Sequence, residues 1–441
     1  MSQIEFRMPI KNPTEAIIEE FRHKMQTLSQ LAISQLRHAK ENQSRDLKDL
    51  ASQFMDVTQG NRGDQNVYQR AISTNTIVDL AHKIVSLKAS DHADMLAEIM
   101  FISVFSAFDA YLNRLLRNFY TNNTHLLRNF ESRQIAVNEL VSRSKEDILE
   151  SLIDSEIESL LRESYIKQFE KLKDHFGVST LNKFKNWPRF VECSQRRNLV
   201  THCDGIVSKQ YISNCASAGV TPEKGVIIGK KLPISIDYLL ESIEIVLEVG
   251  LKLGQVLWRS CSADELSAAD THLGNLIFEL LKVEQWSLAL RMGELGLDLA
   301  KLGNHNTRDD RAVKVILINH AQAAKWSGDN ATAMKILKAI DWSGSAHEFR
   351  IAVACLRSDW DTAASLMKQV GSNSEFLPIH GYISWPVFRE FRTNPKFLDA
   401  FRSIFGVEFA AEVKKATPTP QQLTEISDYA SGSNPEVDTY D

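Results

Sequence analysis

Residues 93–120 constrain the fold of this chain more than any other stretch. They carry Leu96, Met100, Ile102, Val104, Phe105, Phe108, Leu112 and Leu115, too many apolar side chains at helical spacing to fit one narrow stripe. A helix that is apolar on most sides belongs at the centre of a core, so other elements must wrap around it. Asp109 lies inside this run. A buried carboxylate is costly unless paired, so Asp109 requires a partner, either Arg114 or an arginine from another helix.

The elements available to do the wrapping are helical as well. Asn12-Pro13-Thr14-Glu15 combines an N-cap, a proline at the first helical position and a capping-box glutamate, and predicts a helix to about His38. Residues 41–75 are polar and include Gln59-Gly60-Asn61-Arg62-Gly63, which reads as loop. Periodicity predicts helices over 136–163 and 165–175. Lys185-Asn186-Trp187-Pro188 breaks the chain, and a helix follows from near Arg189 with Gly205 as its C-cap. Residues 225–233 read as a short extended excursion before a last helix at 234–259. This gives an N-terminal helix and polar loop over 1–75 and a helical domain over 76–261.

Ser262-Ala263-Asp264-Glu265 has capping-box form and marks a boundary. Beyond it, Gln285-Trp286-Ser287-Leu288-Ala289, Asp329-Asn330-Ala331-Thr332-Ala333 and Asp359-Trp360-Asp361-Thr362-Ala363 repeat a turn-to-helix pattern, each after an apolar helical stretch. Helix, polar turn, then helix with an inward alanine is how tetratricopeptide-like units stack. The alanines are spaced by 44 and 30 residues, so an ordinary helical bundle stays open as the alternative. Residues 385–397, with Trp385-Pro386 and Asn394-Pro395, resemble a cap on such hairpins. The helical-repeat-like region is set at 262–414. The acidic tail, 415–441, has the composition of a disordered segment.

Composition narrows the function. The net charge of −5 argues against a general nucleic-acid binder, but residues 181–231 hold nine Lys or Arg against three Asp or Glu. A local basic excess of that kind attracts phosphates. The five cysteines include no Cys-x-x-Cys pair, which argues against structural zinc and fits a reducing compartment. The first residues show no apolar signal region, and 239–258 carries too many charges to span a bilayer. The expectation is a cytoplasmic protein away from membranes. Neither a phosphate-binding glycine loop nor a His-Glu-x-x-His or serine-elbow pattern is present.

Inside the basic window, Gln195-Arg196-Arg197-Asn198-Leu199-Val200-Thr201-His202 places a guanidinium, an amide and an imidazole within six positions. Cutting RNA by 2′-hydroxyl attack needs one group to take that proton, one to stabilise phosphoryl charge and one to protonate the leaving 5′-oxygen. Histidine performs either proton transfer, and arginine forks onto phosphate oxygens. Asn198 can hold the imidazole or a phosphate oxygen. Arg196 and Lys209 are candidate RNA contacts. Asn198 and His202 share a helix face, whereas Arg197 and His202 are about 140° apart around the axis. Either the long arginine wraps round the helix end or a two-fold dimer brings two copies into one cleft. The purely structural alternative has Arg197 bridging a carbonyl or carboxylate and His202 capping the last turn.

The run from Gln195 to Val207, followed by Tyr211, closely resembles the signature of the HEPN superfamily (higher eukaryote and prokaryote nucleotide-binding): an arginine, often followed by a polar residue, and a histidine four to six residues on. The helix around Ser103–Leu112 resembles the superfamily helix with an acidic residue near the site, and residues 232–258 resemble its closing helix. The resemblance covers about residues 93–260. It implies an all-α, HEPN-like helical bundle followed by the helical-hairpin array. It also implies a metal-independent endoribonuclease needing no cofactor, with Arg197 and His202 as the catalytic pair, Asn198 as polar helper and Asp109 as supporting acid. Toxin-like or antiviral defence roles, RNA as substrate and a homodimer with the site at its interface follow from the same likeness. Residues 262–414 would then bind a protein partner or trigger. The His-x-Tyr that marks pairing with a nucleotidyltransferase antitoxin is missing, so that pairing is not expected. A non-catalytic RNA- or nucleotide-binding module and an interaction scaffold remain as competing readings.

Overall fold

A computed structural model describes residues 12–60, 67–88, 92–130, 135, 137–178, 180, 182–220, 225–302 and 309–416. The fold is all-α; among these residues the one β-type pairing is an isolated bridge between Ile206 and Lys231. The chain divides into two compact units, residues 1–265 and 266–441. The expectation of disorder for the acidic tail lies, past Ala416, outside the described residues.

In the first unit the helices are α1 (Pro13–Gly60), α2 (Val67–Lys88), α3 (His92–Asn122), α4 (Val137–Ser142), α5 (Lys145–Leu161), α6 (Tyr165–Phe176), α7 (Trp187–Cys203), α8 (Lys209–Ser217) and α9 (Ile236–Cys261). α3 is the central helix that its composition demands, with Phe101, Phe105, Phe108, Leu112 and Leu115 buried. α1 and α9 pack against it. The approach is close because α9 presents Gly250 and Gly254: a Cβ at the first would lie 2.3 Å from the Phe21 ring, and one at the second 2.3 Å from the Tyr111 hydroxyl. That hydroxyl donates to the Gly250 carbonyl at 2.9 Å, and its ring stacks on Phe21 at 4.2 Å. Replacing either glycine would force the three helices apart. Within 74–122 lies a window apolar and long enough to cross a membrane by composition, and half of that window is buried inside the unit.

Two local expectations are corrected. Of the loop expected over 41–75, residues 41–60 and 67–75 are helix and 61–66 lie outside the described residues: α1 continues to Gly60, and α2 packs back along it. The Gln43 amide donates to the Leu87 carbonyl at 3.0 Å near the end of α2. The single helix expected over 136–163 is two, because Ser144 and Asp147 form a capping box that starts α5 afresh.

The second unit comprises α10 (Leu266–Lys282), α11 (Trp286–Leu302), α12 (Asp310–Trp326), α13 (Asn330–Leu337), α14 (His347–Leu356), α15 (Trp360–Val370), α16 (Ile379–Ser384), α17 (Pro395–Phe405) and α18 (Phe409–Ala416). Three of its helix pairs, α10–α11, α12–α13 and α14–α15, close with one turn geometry. The turn residues Glu284, Gly328 and Ser358 all take positive φ, and the next N–H (Gln285, Asp329, Asp359) reaches back to a carbonyl five residues earlier at 2.9 Å. The alanines singled out by the repeat, Ala289, Ala333 and Ala363, are fully buried. Small side chains at these points let successive helices seat closely.

Candidate functional site

The site is built on α7. Pro188 within its first turn lacks an N–H that the helix would leave unpaired anyway. Its far end stops at Asp204 and Gly205, which take φ of 50° and 73°, and both N–H groups return to the Leu199 carbonyl. The C-cap is therefore Asp204 rather than Gly205; a short polar side chain tolerates the left-handed region. The chain then turns into a clasp with residues 229–232: Val207 N–H donates to the Lys230 carbonyl (3.0 Å), Gly229 N–H to Val207 (2.9 Å) and Leu232 N–H to Gly205 (2.9 Å). Lys231 ties this clasp to α3 through Glu98 at 3.0 Å.

The buried side of α7 is organised by Glu192. One carboxylate oxygen accepts from the Tyr211 hydroxyl (2.8 Å) and lies 3.5 Å from Arg196 Nε; the other accepts from the Tyr238 hydroxyl (2.9 Å) and Arg189 (2.8 Å). Arg189 also forks onto Glu241 with bonds of 3.0 and 2.8 Å. One carboxylate thus fastens α7 to α8 and α9. Arg196 belongs to this interior: it is 4% exposed, with its guanidinium 3.8 Å from the centre of the Tyr238 ring. Arg196, expected among the RNA contacts, is thus placed inside the bundle beside Glu192 and Tyr238 rather than on the surface.

Arg197 faces the other way. Its side chain is 24% exposed; Nη2 lies 3.8 Å from Asp109 Oδ2, and Nη1 donates to Asn198 Oδ1 at 3.2 Å. Nε is buried with no hydrogen-bond partner among the described residues. Asp109 in turn accepts a hydrogen bond from the Tyr165 hydroxyl at 2.6 Å. Burial pushes the Asp109 carboxyl above its ordinary range, while the Tyr165 hydrogen bond and the Arg197 charge pull against that rise. Of the partners left open for Asp109, Arg197 is the one present; Arg114 pairs with Glu20 instead.

His202, in the last turn of α7, is exposed and has no hydrogen bond or ion pair among the described residues. Lys209 is exposed at the first position of α8. The structure therefore brings Arg197, Asn198 and Asp109 together and leaves His202 at the open end of the same helix. Sequence reasoning missed Tyr165 and Glu192. Glu192 carried the same signal as Asp109, a carboxylate among apolar neighbours in Phe190-Val191-Glu192-Cys193. No three His, Cys, Asp or Glu side chains among the described residues come together as metal donors.

No protein-family model, curated protein or solved structure matches the chain. A partly exposed guanidinium, steered by a carboxylate and an amide and keeping unused donors, has the chemistry to take a phosphate oxygen. An unengaged imidazole on the same helix can accept or give a proton.

Proposed function

We propose that this protein is a metal-independent endoribonuclease of the HEPN type. The observation that carries the reading is Arg197, held at the edge of the bundle by Asp109 and Asn198 on the helix that presents His202. In the reaction, the ribose 2′-oxygen attacks the adjacent phosphorus and loses its proton to an imidazole. The guanidinium meets the charge that builds on the phosphoryl oxygens. The P–O5′ bond breaks, and the leaving oxygen receives a proton, giving a 2′,3′-cyclic phosphate and a 5′-hydroxyl.

Two imidazoles suit these two transfers better than one, and a second copy of the chain supplies the other. The surface beside His202 favours such pairing. Ile206, Ile227 and Ile228, on the clasp that follows α7, are all exposed, as are Met95 and Ile99 on the α3 face that leads towards Asp109. Exposed apolar side chains of this kind favour an interface. The repeated hairpins of the second unit suit a tetratricopeptide-like sensor or partner-binding array, and a toxin-like defence effector is the role that joins the two.

Purified protein should cleave RNA to ends bearing 5′-hydroxyl, with excess chelator leaving the rate unchanged. Arg197→Ala and His202→Ala should each lower cleavage at least 100-fold, about 3 kcal/mol of barrier. Cleavage that survives the double substitution would remove this reading. RNA retained intact by the wild type, with Arg197→Ala weakening retention more than His202→Ala, would turn it into a binding module.

A further inference from the structure

Tyr165 sits among phenylalanines. Its ring lies 5.6 Å from Phe105, 5.7 Å from Phe108 and 5.6 Å from Phe190, and the residue is almost wholly buried. Phenylalanine would pack into this cluster equally well, so packing alone does not call for a hydroxyl. Among the described residues that hydroxyl makes one hydrogen bond, the 2.6 Å bond to Asp109 Oδ1. The other oxygen, Oδ2, is the one turned to Arg197. The two carboxylate oxygens therefore have separate tasks.

We propose that Tyr165 is a positioning residue of this site: its hydroxyl pins one oxygen of Asp109 so that the other steers the Arg197 guanidinium towards the phosphate. The inference rests on the ribonuclease reading above and adds to it a residue outside the Arg-Asn-x-x-x-His run. The groups acting on Asp109 are the Tyr165 hydroxyl from α6 and the Arg197 guanidinium from α7. The hydroxyl donates to the ionised carboxylate and so favours it; the surrounding burial opposes it. Without the hydroxyl, Asp109 holds its proton to higher pH. A neutral Asp109 no longer draws on Arg197, which turns away.

The test uses the full chain with ¹³Cγ-labelled aspartate, the Asp109 resonance being assigned by its loss in Asp109→Asn. In Tyr165→Phe the Asp109 titration midpoint should move to higher pH while the melting temperature stays within a few degrees of wild type. The acid limb of kcat/KM for RNA cleavage should move up by the same amount. At neutral pH kcat should fall about tenfold, with KM changed less than twofold, the mark of a group misaimed in the transition state (about 1.4 kcal/mol). An Asp109 midpoint unchanged in Tyr165→Phe overturns the inference whether or not RNA is cut. So does an acid limb that stays put while the midpoint moves. A wild type that cuts no RNA instead defeats the ribonuclease reading, and the titration still judges the coupling of Tyr165 to Asp109.

Discussion

In the first unit the buried carboxylate of Glu192 meets two tyrosine hydroxyls and two arginines. In the second, among the described residues, His320 is 2% exposed with both ring nitrogens lacking a hydrogen-bond partner, and the Gln322 amide is fully buried in the same condition. Asn319, beside them on α12, gives its amide to the Gly274 carbonyl at 3.1 Å, while its oxygen has no hydrogen-bond partner among the described residues. Buried polar groups are expensive in both places; the difference is what they obtain in return. Around Glu192, several groups on three helices have a single joint arrangement, and α7 is locked in the orientation that turns Arg196 inward and Arg197 outward. Along α12 the apolar core of the unit carries the fold, and the polar groups weaken it. Polar networks specify geometry only when they are satisfied.

The largest effect expected from this contrast is at Glu192. Glu192→Ala leaves the buried Arg196 guanidinium without the carboxylate that balances its charge, a loss of about 3–5 kcal/mol. Hydrogen exchange followed by peptide should show α7 and α8 opening together, with α12 at its wild-type rate. Protection of α7 within twofold of wild type would break the comparison, since the network would then be doing no more than the apolar contacts around it.

His320 offers the next effect. Its value in the fold is pushed down to about 4 by burial, against 6.5 for an ordinary histidine. The unfolded chain therefore binds the extra proton first. Stability of the second unit should be full above pH 6.5 and should fall as pH drops towards 4, by up to about 3 kcal/mol. Exchange of α12 amides measured between pH 7 and 4 and corrected for the intrinsic rate should show the loss, and His320→Asn should flatten it. A slope unchanged in that variant assigns the acid sensitivity to other groups.

The same contrast explains what the sequence could disclose. The place of α3 and the need for a partner at Asp109 were legible because both follow from local pattern: apolar residues on all sides, and one charge among them. The bundle's other half of that pair was not assigned, because Arg114, Arg197 or any other arginine satisfied the same requirement until the helices were packed. Arg196 and Arg197 are neighbours with identical chemistry; Glu192 stands one turn before Arg196 on the same face, but only the packing of Tyr238, distant in sequence, decides that this face is the buried one. The helix over 41–60 was hidden for another reason. Leu47, Leu50, Ala51, Phe54 and Val57 do recur at helical spacing, but the polar residues around them outweigh that stripe, and it is only half-buried, in a helix that pairs with α2. Tyr165 was invisible because an aromatic residue that begins a helix reads as core, and its hydroxyl gains meaning only when Asp109 stands 2.6 Å away.

The smallest effect tests whether the repeated turns of the second unit are interchangeable. Gly328 and Ser358 occupy the same position with φ of 89° and 57°. Glycine enters this region freely, whereas a side chain costs about 1 kcal/mol through its own backbone. A Cβ on Gly328 would meet nothing within 4 Å, so the cost of Gly328→Ser is conformational and not steric. The reverse change, Ser358→Gly, removes that strain along with a hydroxyl that accepts from the Lys325 ammonium at 3.3 Å, a group that also pairs with Glu390 at 2.7 Å. Gly328→Ser should lower the stability of the second unit by about 1 kcal/mol, and Ser358→Gly should leave it equal or raise it by a few tenths. Urea midpoints for the two variants that shift in the same direction would show that the three turns share a hydrogen bond but not an energetic role, and the hairpins would then be better described as a bundle than as repeats.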